Sequence, residues 1–224
     1  MKLGALINFF SNARLTWLLA LGMPAGWLAF GGGRLEGGVP EHWWSVLTYA
    51  FVHTNPMHLA VNLIALLVVA TWCEQRQGAI RMAMVFVSGI VAGGMFFMGY
   101  ATLSDAAMWL EGASAGIIAM TVCALLSYQK ICIGAHRFPA DGAAYALLVI
   151  LASGLLGYNP GGAVAHIGGW VAGRLSAAIF AAKEARHSDT PAVMATQRVR
   201  TSGYASLTEA ERLRMFNETK SREL

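Results

Sequence analysis

Six long apolar runs leave this chain little freedom in what it can fold into. They extend from about Leu15 to Phe30, Met57 to Cys73, Ile80 to Tyr100, Ala113 to Tyr128, Ala143 to Gly157 and Val164 to Ala182. A helix that crosses a bilayer needs about 20 predominantly apolar residues. The runs therefore predict an all-α fold, a polytopic membrane bundle of six transmembrane helices. Pro24 interrupts the first run, and the fourth and fifth are short for a full crossing. Short helices of this kind have to end below one surface or inside a ring of protein, because lipid cannot satisfy a bare helix end.

Composition agrees. Of 224 residues, 56% are hydrophobic and 12% charged, against about 25% charged in soluble domains, and the mean hydropathy is +0.52. The charges gather between the runs and become frequent only after Lys183. Three regions follow: a short cytoplasmic N-terminus (1–14), a six-helix membrane domain (15–182) and a polar cytoplasmic tail (183–224) with a short helix. The net charge of +4 sits at the ends of apolar runs, where it suits lipid headgroups. No basic stripe interleaved with aromatics points to nucleic acid. Cys73, Cys123 and Cys132 form no CxxC pair, so buried thiols are expected and neither a disulfide framework nor a zinc site. Lys2 and Arg14 precede the first run as in a signal peptide, but five further runs follow, and the first is read as a retained helix.

Loop charge sets the expected orientation. Lys2 and Arg14, Arg76 and Arg81, Lys130 and Arg137, and Lys183 and Arg186 fall on one side of the six runs. The intervening loops hold only Arg34 as a basic residue, accompanied by Glu36, Glu41, Asp105 and Glu111. Both termini are thus expected in the cytoplasm. The loop from Gly31 to Asn55 is long and rich in Gly, Trp and Tyr, which suits a partly embedded flap on the outer side.

Polar residues inside lipid are costly, so four within the runs are singled out: His58, Asn62, Ser114 and His166. The second, fourth and sixth helices all enter from the outer side, so chain direction alone places the four in one leaflet. His58 and Asn62 are four residues apart and share a helix face; two hydrogen-bond donors on one face suit an oxyanion. Ser114 lies in Gly112-Ala-Ser-Ala-Gly116, where the glycines leave room around the hydroxyl and the first-turn N–H groups add donors. A serine hydroxyl needs a base to become a nucleophile, and His166 is suited to that role. Gly169 and Gly173 give the sixth helix a small-residue face on which it can press against the fourth. Each residue alone has a plainer reading: a helix cap for Ser114, a buried histidine for His166.

Together these residues resemble the rhomboid family of intramembrane serine proteases over roughly Leu15 to Ala182. The HxxxN pattern appears as His58 to Asn62, preceded by His53 at a recurrent histidine. The GxS motif appears as Gly112-Ala113-Ser114, and the AHxxGxxxG pattern as Ala165-His166 with Gly169 and Gly173. The resemblance implies a Ser114–His166 dyad with no acidic third member. It implies oxyanion donors from His58, Asn62 and the Ser114 backbone N–H, in a site opening to the outer side of a bacterial inner membrane. It further implies that substrates are transmembrane proteins cut near that face, with no cofactor or metal. The fifth helix would be the lateral gate and the 31–55 loop the flap; the oligomeric state is left open. Ala115 stands where many members have Gly, Ile118 where many have Tyr, and Ser45 where a Trp-Arg pair has Arg. An inactive relative that binds membrane-protein clients is the alternative, and a small transporter a third, less supported class.

Two further expectations concern single features. Arg174, midway along the sixth run, is expected to snorkel to the cytoplasmic face or pair with Glu74. Ser206-Leu-Thr-Glu209 is a candidate capping box, with Leu207, Ala210, Leu213 and Phe216 on one helical face.

Overall fold

The computed structural model describes residues 9–30, 35–36, 44–53, 55–104, 108–127, 130–133, 136–153, 155, 159–188, 199 and 202–213. It divides into two units, 1–177 and 178–224. The expected helices are present: α1 (Arg14–Phe30), α2 (Pro56–Gln77), α3 (Ala79–Ser104), α4 (Ser114–Leu126), α5 (Ala140–Ser153) and α6 (Pro160–Ser188). The fold is an all-α membrane bundle, accompanied by two small two-stranded ribbons.

Among the described residues three helices are long and apolar enough to cross a membrane: α2, α3 and Pro160–Glu184 of α6. The 13 residues of α4 reach only about 20 Å at 1.5 Å per residue. That falls about 10 Å short of the hydrocarbon core, as its short apolar run implied. α1 runs without a break through Pro24, so the proline does not interrupt the helix as expected.

Two of the three helices that carry the polar residues, α2 and α6, start in the same way. Asn55 caps α2 by accepting a hydrogen bond from Met57 N (2.8 Å), and Asn159 caps α6 by accepting one from Gly162 N (2.9 Å). In each, Pro follows as the first helical residue, where its missing N–H costs nothing. α1 is finished differently. The Glu74 carboxylate, near the far end of α2, accepts from Leu15 N (3.0 Å), Thr16 N (2.8 Å) and Thr16 Oγ1 (2.7 Å). It satisfies first-turn donors that have no intrahelical acceptor, and its charge suits the positive end of the helix dipole.

Glu74 is therefore not the partner of Arg174. Arg174 instead bonds Asp141 Oδ1 of α5 (2.9 Å), and its guanidinium lies 5.6 Å from the centre of the Tyr145 ring. One turn earlier, Trp170 Nε1 donates to Ala144 O (2.8 Å). The reason is geometric: residues 170 and 174 share a face of α6, and that face meets the first turns of α5.

Close packing of small residues holds α4 in place. A side chain at Gly169 would strike the carbonyl oxygen of Ala115, and one at Gly173 that of Ala119. α3 approaches from another direction, where a Cβ at Gly89 would lie 2.5 Å from Ala119 Cβ. Seven residues of α4, from Ala115 to Cys123, are buried.

The loops are more ordered than expected. Within the 31–55 loop, β1 (Leu35–Glu36) pairs antiparallel with β2 (Trp109–Leu110). A single helical turn at Ser45–Thr48 leads into a 3₁₀ turn at Tyr49–Phe51; residues 31–34, 37–43 and 54 lie outside the described set. The basic loop with Lys130 and Arg137 forms an antiparallel ribbon, β3 (Lys130–Ile133) with β4 (His136–Pro139). Cys73 and Cys123 are buried free thiols.

In the second unit the capping box sits two residues later than expected. Thr208 N and Thr208 Oγ1 both donate to Glu211 Oε2 (2.8 Å each), and Glu211 N donates back to Thr208 Oγ1 (3.4 Å). Ser206 Oγ instead donates to Gly203 O (2.7 Å). The expected apolar face is not formed as drawn, since Leu207 is buried ahead of the helix while Leu213 is exposed; Phe216 lies outside the described residues.

Candidate active site

Ser114 is the first residue of α4, and Ala113, the residue before it, makes no side-chain cap. The Ser114 hydroxyl does not cap the helix either. Its Oγ lies 2.7 Å from Nε2 of His166, seven residues into α6. The approach of α6 to α4 at Gly169 and Gly173 makes this distance attainable, because larger side chains there would hold the two helices apart. The small-residue face expected of α6 is thus the contact surface that brings the His166 ring and the Ser114 hydroxyl together.

His58 and Asn62 come from the third and seventh residues of α2. They meet the segment leading into α4 at Gly112, where a Cβ would lie 2.8 Å from His58 Cε1, 2.9 Å from His58 Nε2 and 3.0 Å from Asn62 Nδ2. Gly112 also has φ +93°, a left-handed conformation open to glycine and strained for other residues. Both facts require glycine two residues before Ser114. The Gly112 N–H donates to Tyr49 O (2.9 Å), and the buried Tyr49 hydroxyl donates to Ile90 O of α3 (2.8 Å). The 3₁₀ turn at 49–51 thereby fixes the entry to α4 against α3.

Gly116 does not leave room around the hydroxyl, as the sequence reading had it. A Cβ there would lie 2.6 Å from Phe86 Cδ2 and 2.9 Å from Ile90 Cδ1, so Gly116 serves the packing of α4 on α3.

His53 is fully buried, behind Asn62. Its Nε2 lies 3.1 Å from Asn62 Nδ2; since an amide nitrogen only donates, His53 Nε2 is the acceptor. Burial, reinforced by the nearby His58, lowers the His53 pKa to about 4, which keeps the ring neutral and able to accept. One Asn62 N–H is committed to His53, and the other remains for a further acceptor. The His53 and His58 rings meet edge to face at 5.2 Å.

Three residues beside these were not singled out from sequence. Tyr49 read as one more aromatic of an interfacial loop. Trp170 fell between two small-residue positions. Glu111 read only as part of an acidic loop, yet its Oε1 lies 3.5 Å from His58 Nδ1. Its adjacency to Gly112 was the available signal. Ile118, four residues after Ser114, presents an aliphatic side chain. Among the described residues no group of three or more His, Cys, Asp or Glu is arranged to hold a metal ion.

Comparison with known proteins shows the family. A family model described as a Rhomboid domain matches residues 40–183. Rhomboid-related protein 3 of Homo sapiens is 34% identical over 77 residues, which cover 34% of this chain and 18% of that protein. Rhomboid protease AarA of Providencia stuartii is 23% identical over 167 residues, covering 66% of this chain and 59% of that protein. The chain thus spans less than two thirds of the length of these relatives. The family model, by contrast, takes in more than half of the chain, including His53, His58, Asn62, Glu111, Ser114 and His166. This integral membrane protein belongs to the rhomboid family.

Proposed function

We propose that the chain is an intramembrane serine endopeptidase that cuts peptide bonds in or near transmembrane helices of other membrane proteins. The observation that carries this reading is the 2.7 Å hydrogen bond between Ser114 Oγ and His166 Nε2, which is the contact a nucleophile needs with its base.

In this reading His166 Nε2 takes the proton of Ser114 Oγ as the oxygen attacks the scissile carbonyl carbon. The carbonyl π electrons move onto oxygen, forming a tetrahedral oxyanion. His58, the uncommitted N–H of Asn62 and the Ser114 backbone N–H stabilise that charge. Each such donor is worth about 3 kcal/mol where measured in other hydrolases. His166 then gives its proton to the departing amine, leaving an acyl-serine ester. Water, deprotonated by His166, releases the acid and restores the serine. No step calls on a cofactor.

The wider setting belongs to the same proposal. Residues 15–182 form the membrane domain, flanked by residues 1–14 and a 183–224 tail, both in the cytoplasm. The membrane is a bacterial inner membrane, and the site opens to its outer side. α5 serves as the lateral gate. AarA carries the name of a rhomboid protease, which supports assigning the same reaction class here.

The test is cleavage of a model transmembrane substrate in proteoliposomes. Ser114→Ala and His166→Ala should each abolish cleavage while still inserting in the membrane. A fluorophosphonate should label the parent chain at Ser114, as only an activated serine reacts. Cutting by both variants would overturn the proposal. Absence of labelling in the parent chain would favour a client-binding protein without catalysis.

A further inference from the structure

Glu111 places a carboxylate where the proposed reaction develops negative charge. It immediately precedes Gly112, in the short bend between β2 and α4. Its side chain is 13% exposed, and its Oε1 lies 3.5 Å from His58 Nδ1, an ion-pair distance if His58 is protonated. Left uncompensated, a mostly buried carboxylate near an oxyanion would oppose catalysis.

The chemistry of the His58 ring resolves this. A neutral imidazole has one N–H; a protonated ring donates from both nitrogens. With Nδ1 turned to Glu111, a neutral ring would present a lone pair at Nε2, the ring nitrogen that a Cβ at Gly112 would meet at 2.9 Å. A lone pair there would repel an oxyanion. A doubly protonated ring satisfies Glu111 and donates at Nε2, and such a charge-assisted hydrogen bond is roughly twice as strong as a neutral one.

We propose that Glu111 is a positioning residue that holds His58 in its doubly protonated form, with Nδ1–H facing the carboxylate and Nε2–H aimed at the oxyanion. The inference rests on the protease reading given above. The other titratable groups facing His58 are His53, from the loop before α2, and His166, from α6. His53 is held neutral by burial, its pKa lowered to about 4. His166 must be neutral at the start of each cycle, because it accepts the serine proton. Glu111 thus gives this site an acidic member that acts on the oxyanion side and not on the base.

The experiment uses the full chain with a fluorogenic transmembrane peptide. Glu111→Gln should lower kcat about 10-fold or more, with KM changed less than about 2-fold, since the pair acts only when charge develops. Glu111→Asp should recover part of the loss. In a His58→Ala background, Glu111→Gln should cause no further loss, because both act through one ring. Independently of turnover, 15N NMR of the His58 ring at the pH of fastest cleavage should show two protonated nitrogens in the parent chain and one in Glu111→Gln. Unchanged kcat in Glu111→Gln, additive losses in the double variant, or a singly protonated His58 in the parent would each overturn the inference. If the parent chain neither cuts nor labels at Ser114, the protease reading falls, and the NMR result still decides the His58–Glu111 pair.

Discussion

Ser114 opens a helix, the position at which a serine side chain ordinarily turns back to cap its own backbone. Its hydroxyl points instead at a ring 52 residues further along the chain. This contact was anticipated from two residue types and a shared leaflet. What supports Asn62 was not, because the reach of His53 across nine residues depends on how the loop before α2 folds. His53 carries a pH prediction. Its pKa is lowered from 6.5 to about 4, so between those values the unfolded chain binds more protons than the folded one. Stability from this residue is therefore fully present above about pH 6.5 and is lost as pH falls toward about 4, by about 3 kcal/mol in total. Unfolding measured in micelles from pH 7 to 4 should show this slope in the parent chain and a shallower one in His53→Gln. At Gly112, a Cβ would meet both His58 and Asn62. Gly112→Ala should lower turnover at least about 100-fold, since a displacement of about 1 Å at a reacting centre has that effect.

At the scale of elements, the helices were legible because long apolar runs have no other stable form in lipid. Their ends were less so. The capping box at Thr208–Glu211 competes with Ser206–Glu209 on the same pattern, and sequence spacing alone does not choose between them. Partners between helices were the least legible: the sequence suggested Glu74 for Arg174, whereas the facing of α5 and α6 selects Asp141. The two contacts on that face should differ in weight. Arg174→Ala removes an ion pair exposed at both ends and should cost less than about 1 kcal/mol. Trp170→Phe removes a buried hydrogen bond to the Ala144 carbonyl, which keeps its helical partner, and should cost up to about 1.5 kcal/mol. Gly169→Leu should do more than either, since no rotamer avoids the Ala115 backbone. Loss of fluorophosphonate labelling in a variant that still inserts would report separation of Ser114 from His166.

For the molecule as a whole, the family and the bundle were readable from the order of three short motifs on three helices. The ribbons in the loops were not, because strands of two and four residues carry too little periodicity to read. The proposed orientation follows from loop charge and is open to measurement. Reporter fusions after residues 78, 135 and 188 should report the cytoplasm, and fusions after 38 and 106 the outer side. The carboxylate that completes α1 belongs to a residue 58 positions downstream. During synthesis α1 leaves the ribosome first, with its leading amides unpaired, and stays so until the far end of α2 has been made. A chain released before residue 74 would hold α1 without its cap, whereas one released just after Gln77 has all it needs to close the α1–α2 pair. The contacts that join α1 to α2 can therefore close before either residue of the Ser114–His166 pair has been translated.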